Sequence, residues 1–268
     1  MSSFADQLAA NLGKIRESQP LIHNITNLVV MNSTANVLLA SGAAPVMAHA
    51  ANEVEEMVAC AGALVLNIGT LTDDWVEAMV IAGRKATALG IPVVLDPVGA
   101  GATSLRTAAA RRILAETAIS VVRGNPSEIL ALGRRPVKGR GVDTAHGLAD
   151  VEKDARQIAE NLRTVLAITG AVDLVTDGTR LARIANGHPL MPKVTGTGCA
   201  ATAVIGAFLA VEADPFVAAV CGLAFFGVAG ELAGAQASGP GSFMVHLLDA
   251  LYSLTPAEAA RQCRISLS

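Results

Sequence analysis

The sequence predicts an α/β fold with a mostly parallel sheet covered by helices on both faces. Three observations carry this reading. Short β-rich runs alternate with long helical patterns through the first half of the chain. The strands, such as Ala63–Ile68, are apolar almost continuously, as strands buried on both faces are. No Pro/Ser-rich linker, internal repeat or low-complexity segment divides the 268 residues, so one domain over 1–268 is expected.

The elements follow in order. Leu21–Ile25 reads as a strand and Asn27–Leu39 as a helix. Pro45–Ala48 is a short strand, Asn52–Cys60 a helix and Ala63–Ile68 a buried strand. Asp73 and Asp74 are placed to cap a helix that runs to Leu89 and ends at Gly90. Val93–Asp96 and Ile119–Arg123 are strands on either side of a helix over Ser104–Thr117. A short helix follows Pro126, a residue tolerated in a first turn. Arg134–His146 is a charged, Gly-containing loop, and the polar helix Leu148–Arg163 follows it. Val165–Thr169, Asp173–Thr176 and Arg180–Ile184 are strands joined by tight turns. From Gly198 the chain is helical, with breaks near Asp214 and Ser238–Gly241 and a final helix after Thr255-Pro256.

Composition narrows the function classes. Charged residues are 16% and aromatics 3%, so small aliphatic residues do the packing, which favours closely approaching helices and a large subunit interface. The longest apolar stretches, Ala200–Val211 and Phe216–Gly230, are interrupted by Glu212, Asp214 and Pro215. Each is shorter than the roughly 18–20 residues a membrane span needs, so a soluble protein is expected. The formal charge of −3, without a basic run, argues against nucleic acid. Met1–Leu12 lacks the pattern of a secretory signal. Cys60, Cys199, Cys221 and Cys263 are widely separated and fit no zinc pattern, which suits a reducing cytoplasm. His23, His49, His146, His188 and His246 show no ligand spacing and read as structural or surface residues.

Ligands of open α/β sheets bind beyond the carboxyl ends of the strands. There the sequence places Asp96-Pro97-Val98-Gly99-Ala100-Gly101, then Arg123-Gly124-Asn125-Pro126-Ser127-Glu128, then Thr169-Gly170. Two acids, an arginine and a threonine therefore share one rim. The strongest local feature is Val194-Thr195-Gly196-Thr197-Gly198-Cys199-Ala200-Ala201, a Gly-rich turn feeding an apolar helix. Backbone N–H groups and the helix dipole make such a turn an anion site suited to a transferring phosphoryl group. The same letters spell G-x-G-x-x-A, but the expected preceding strand is replaced by a segment holding Pro189 and Pro192. The candidate acid, Asp214, follows a helix with no intervening strand, so a dinucleotide site is rejected. The P-loop pattern is absent, because Gly13-Lys14 is followed by Ile15.

Taken together, Asp96–Thr103, Asn125-Pro126-Ser127-Glu128 and Gly196-Thr197-Gly198-Cys199 resemble the hydroxyethylthiazole kinase family of the ribokinase-like superfamily. His23-Asn24-Ile25-Thr26-Asn27 and Ala44-Pro45-Val46-Met47 match it too, so the resemblance covers nearly the whole chain from about residue 20. It implies a ribokinase-like three-layer α/β/α sandwich that uses ATP and Mg²⁺ to phosphorylate 5-(2-hydroxyethyl)-4-methylthiazole. It also implies a homotrimer with the thiazole site between subunits.

The resemblance assigns roles residue by residue. Glu128, with Asp96, would order Mg²⁺ near the phosphates, an ion that takes one or two carboxylates and keeps several waters. Outside that role, Glu128 would complement a helix dipole and Asp96 would cap the turn before Pro97. Arg123 and Thr169 match nucleotide contacts, and an Arg fork bonds phosphate bidentately. Arg123 could equally pair with Asp96 or Glu128. Met47 would face the thiazole ring, to which a thioether is suited, although alone it reads as core. Asn24 and Asn27 could bond the ring nitrogen or the hydroxyethyl group, and Asn27 could also cap its helix. Gly196 and Gly198 form the catalytic turn. Cys199 stands where most ribokinase-like kinases carry an Asp base. A helix N-terminus can lower a thiol pKa, so Cys199 is expected to orient and partly deprotonate the alcohol, or else to be a small buried hydrophobe.

Three alternatives remain at this level. A pyridoxine- or hydroxymethylpyrimidine-type kinase and an ATP-dependent NAD(P)H-hydrate dehydratase share the superfamily, but both normally carry Asp where Cys199 stands. A non-catalytic small-molecule binder would bury the converging acids at a cost unless a cation or hydroxyl needed them.

Overall fold

The computed structural model describes residues 3–133 and 148–268. The charged loop expected at Arg134–His146 lies outside the described residues. Nine strands form one sheet in the order β2-β1-β3-β4-β5-β6-β7-β8-β9. β1 (Leu21–Ile25), β2 (Ala44–Val46), β3 (Ala63–Asn67), β4 (Val93–Asp96), β5 (Val121–Gly124) and β6 (Val165–Ile168) are parallel. β7 (Asp173–Thr176), β8 (Leu181–Ile184) and β9 (Ile265–Leu267) add antiparallel to β6. The sheet is therefore mostly parallel and layered between helices, as expected.

Strand periodicity divides the core in two. Ala63 and Val65, Val94, Val121, and Val165 and Ala167 face one apolar cluster. Leu64 and Leu66, Val93 and Leu95, Val122, and Leu166 and Ile168 face the other. The first cluster is closed by α1 (Phe4–Ser18), α2 (Met31–Ser41), α8 (Thr197–Leu209), α9 (Pro215–Gln236), α10 (Pro240–Ser253) and α11 (Pro256–Gln262). The second is closed by α3 (Val54–Ala59), α4 (Asp73–Leu89), α5 (Ser104–Glu116), α6 (Pro126–Gly133) and α7 (Leu148–Leu162).

Several local expectations are corrected. α1 and β9 had no counterpart in the sequence reading. α2 starts at Met31, four residues late, because Asn27–Val30 forms a turn whose Asn27 Oδ1 accepts the Val29 N–H. The cap of α4 is Thr72, whose hydroxyl accepts the Trp75 N–H at 3.2 Å, and Asp73 and Asp74 sit inside the first turn. α9 runs 22 residues and is long and apolar enough to cross a membrane, unlike the shorter run counted from the sequence. Of its apolar window, 89% is buried inside this protein, against the sheet and its neighbouring helices.

Candidate active site

Parity brings the rim residues together. Asn67, Asp96, Arg123 and Thr169 each lie two residues beyond a side chain of the first cluster, so all four project toward the start of α8. Asp96 is fully buried. Its Oδ2 accepts hydrogen bonds from Asn67 Nδ2 at 2.9 Å and Thr202 Oγ1 at 2.8 Å, and Arg123 Nη1 stands 3.7 Å away. Its Oδ1 is buried without a partner. Burial pushes the Asp96 carboxyl above its ordinary range, against the opposing pull of Arg123 and the donated hydrogen bonds.

Arg123 donates to the Thr169 hydroxyl and lies under the first turn of α8. A Cβ on Gly198 would come within 2.5 Å of Arg123 Nη1, so only glycine lets the guanidinium sit against that turn. Gly196 is the N-cap of α8 at φ +86°, where a Cβ would also meet Val30 Cγ1 at 2.8 Å. Both glycines therefore serve close approach, and the first turn of α8, whose N–H groups have no intrahelical acceptor, lies against Arg123.

Cys199 lies in that turn, half-buried. Asn27 Nδ2 donates to Asn67 Oδ1 at 2.8 Å and stands 3.6 Å from Cys199 Sγ. The helix N-terminus does not lower the thiol pKa here. Burial, seconded by the Asp96 charge, pushes the thiol up to about 11, and this outweighs the favourable hydrogen bonds and Arg123. Asn27 itself does not cap a helix. It links the site through Asn67 to Asp96.

Glu128 accepts N–H groups from Gly99 and Asn125, each at 2.8 Å, so it fixes the loops after β4 and β5. Thus Arg123 pairs with Asp96 rather than with Glu128. Asn24 lies two residues beyond Ile22 of the first cluster; its amide donates to the Ile22 carbonyl at 2.9 Å, and its Oδ1 is buried without a partner. Met47 follows the edge strand β2 and is half-buried.

Sequence reasoning missed three residues. Asn67 ends β3 and was reachable by the strand-end rule that found Asp96. Thr202 lies one helical turn after Gly198 and offered no pattern. Asp173 opens β7 and accepts the Gly170 N–H at 2.9 Å. Burial pushes the Asp173 carboxyl up to about 6.

A cavity of about 780 Å³ opens beside this cluster. Arg123, Thr169, Thr197 and Gly198 line it, together with apolar side chains of Pro189, Met191, Leu223 and Phe226. Among the described residues no group of three or more His, Cys, Asp or Glu side chains could hold a metal. Two carboxylates near a phosphate site still suit Mg²⁺. The orphaned Asp96 Oδ1 and the oxygens of Glu128 fit that ion.

Residues 12–257 match the profile described as the hydroxyethylthiazole kinase family. The chain belongs to that family. A protein named hydroxyethylthiazole kinase from Desulfotalea psychrophila is 61% identical over all of this chain and 98% of its own length. Another so named, from Desulfosudis oleivorans, is 55% identical over 94% of this chain and 92% of its own. The solved hydroxyethylthiazole kinase of Pyrococcus horikoshii superposes with a TM-score of 0.89 at 45% identity, covering 98% of this chain and 99% of that one. An ADP complex of Bacillus subtilis pyridoxal kinase superposes at 0.57 with 17% identity, covering 78% and 90%, which shows the ribokinase-like fold alone. This member of the hydroxyethylthiazole kinase family is thus an enzyme, a kinase.

Proposed function

We propose that the chain, working as one domain, phosphorylates the primary hydroxyl of 5-(2-hydroxyethyl)-4-methylthiazole with ATP, the salvage step toward thiamine. The observation that carries this is Cys199 at the start of α8, where the resemblance implies that most ribokinase-like kinases carry Asp, beside the Asp96–Arg123–Thr169 cluster. The cavity takes the nucleotide, with phosphates at Arg123 and Gly198 and the base against the apolar side chains. Arg123, Thr169 and the first-turn N–H groups of α8 hold the phosphates and stabilise the charge that spreads over the transferring group. Asp96 and Glu128 would hold Mg²⁺, which when bound would supply further charge neutralisation.

The alcohol enters from the Asn27–Met47 side, with Met47 and Gly196 against the ring and Asn24 near the strand end. Cys199, protonated, accepts a hydrogen bond from the hydroxyl and aligns its oxygen for in-line attack. The P–O bond to the nucleotide breaks as the new one forms, and the proton leaves late. An oxygen of the transferred phosphoryl group takes it, since the unpartnered Asp96 Oδ1 is the atom reserved for the ion.

A homotrimer with the site between subunits is supported by Leu28 and Val29, which are 65% and 63% exposed directly after Asn27. Apolar side chains so placed beside a site invite a second copy to cover them. A cytoplasmic setting agrees with the free cysteines.

The test is ADP release with Mg-ATP and a panel of the thiazole alcohol, hydroxymethylpyrimidine, pyridoxine and hydrated NADH. ADP formation that depends on the thiazole alcohol is expected, and its absence would refute the assignment.

A further inference from the structure

The connection from β8 to α8 is not a loose loop. Glu231 on α9 accepts the Gly187 N–H at 2.8 Å and hydrogen bonds from Asn186 Nδ2 at 3.3 and 3.2 Å. Arg264, just before β9, pairs with the same carboxylate. Arg264 also donates from Nη2 to the Ala185 carbonyl at 2.7 Å, and its N–H reaches Asn186 Oδ1 at 2.6 Å. Asn186 is buried, so these bonds form a nearly complete polar clamp.

The segment lies on a face of α9 kept bare by glycine. A Cβ at Gly227 would meet the Asn186 carbonyl oxygen at 2.8 Å, and one at Gly230 would meet Met191 Sδ at 2.7 Å. Gly234 lies under the His188 ring, which stacks on Phe243 with centroids 6.0 Å apart. Positions 227, 230 and 234 share one helical face. What these contacts hold in place is a cavity wall: Asn186–Pro189 and Met191–Lys193 line the cavity together with Leu223 and Phe226, and the segment reaches α8 where the Met191 carbonyl accepts the Thr197 hydroxyl at 2.9 Å.

We propose that Glu231 is a positioning residue for the nucleotide. Acting through Asn186, Gly187 and Arg264, it holds the 186–193 segment against the glycine face of α9 as the wall that receives the nucleoside end of ATP. This rests on the reading of the cavity as the nucleotide site. The phosphates are held elsewhere, at Arg123 and α8, so loss of the clamp weakens the nucleoside contacts and spares the phosphate contacts.

The experiment is calorimetric titration of the intact enzyme with ATP and, separately, with inorganic tripolyphosphate. Wild type is compared with Glu231→Ala, Gly227→Ala and Arg123→Ala. The first two are expected to bind ATP about tenfold more weakly and tripolyphosphate as wild type does. Arg123→Ala is expected to lose both. In turnover, Glu231→Ala should raise KM for ATP at least fivefold and leave kcat and the alcohol KM within twofold, and Glu231→Gln should recover part of the loss.

Unchanged ATP binding in Glu231→Ala, or equal weakening toward both ligands, overturns the inference while leaving the cavity assignment intact. Wild-type binding by Arg123→Ala would instead remove the cavity assignment itself. Should Glu231→Ala not fold, Arg264→Ala, whose side chain is 55% exposed, reads the same clamp.

Discussion

Burial and the Asp96 charge push the Cys199 thiol up to about 11, so in the proposed reaction Cys199 is a positioning group rather than a base. Cys199→Ser, which keeps a hydrogen-bonding group, should retain kcat within about tenfold. Cys199→Ala should lose about a hundredfold, the scale on which a misplaced reacting group slows a reaction. Initial rates from pH 6 to 9 should show no ascending limb that disappears in the serine variant. A serine variant as inactive as the alanine variant would return the thiolate to the mechanism. Asp173 has the opposite interest, because its ionisation works against the fold. Its folded pKa of about 6 lies above the ordinary 3.8, so the folded state keeps a proton that the unfolded chain has lost. Stability therefore falls as pH rises from about 4 to 6, and the cost is fully present above 6. Asp173→Asn preserves the acceptor for the Gly170 N–H and cannot ionise. Its melting temperature should exceed wild type by about 2 °C or more at pH 7.5 and by nothing at pH 4. An equal difference at both pH values would show that charge is not the cause.

At the scale of elements, α8 is the part on which the site turns. Gly198→Ala should displace the Arg123 guanidinium, raise KM for ATP and lower kcat by about a hundredfold, as losing one preorganised donor does. A variant with wild-type kinetics and a wild-type melting curve would show that Arg123 has room to move. The glycines of this turn were legible in the sequence because they mark a chain path that other residues obstruct. The strand ends Asp96, Arg123 and Thr169 were legible because parallel strands deliver their carboxyl ends to one rim. Thr202 was not, since a threonine inside an apolar helix has no pattern of its own. Its hydroxyl bond to Asp96 joins residues 106 positions apart. β9 was hidden for a similar reason: three residues gain strand character only by pairing with β8. The start of α2 was misjudged because Asn27 serves Asn67, a partner 40 residues away, instead of its own helix.

For the whole molecule, the strand-end residues of the proposed site gather in one layer, with Glu128 of α6 reaching the loops from the other. Asp96, Asn67, Arg123, Thr169 and Cys199 all stand on the side of the sheet covered by α8 and α9. Leu28 and Val29 lie at the open margin of that layer. Replacing both with glutamate should dissociate the proposed homotrimer to monomers in light scattering and raise the KM of the alcohol at least tenfold, with the fold intact by circular dichroism. A monomer of unchanged activity would show that the site is complete within one chain. The order of elements along the chain carries a separate consequence, for biosynthesis. A ribosome releases β1 through β8, residues 21–184, before α8 and α9 appear. The 22-residue helix that most resembles a membrane span thus leaves the exit tunnel when the strands that bury it have already been made. A circular permutant that opened the chain just before α9 would reverse that order, and the nascent polypeptide would carry its greasiest segment unprotected through most of translation.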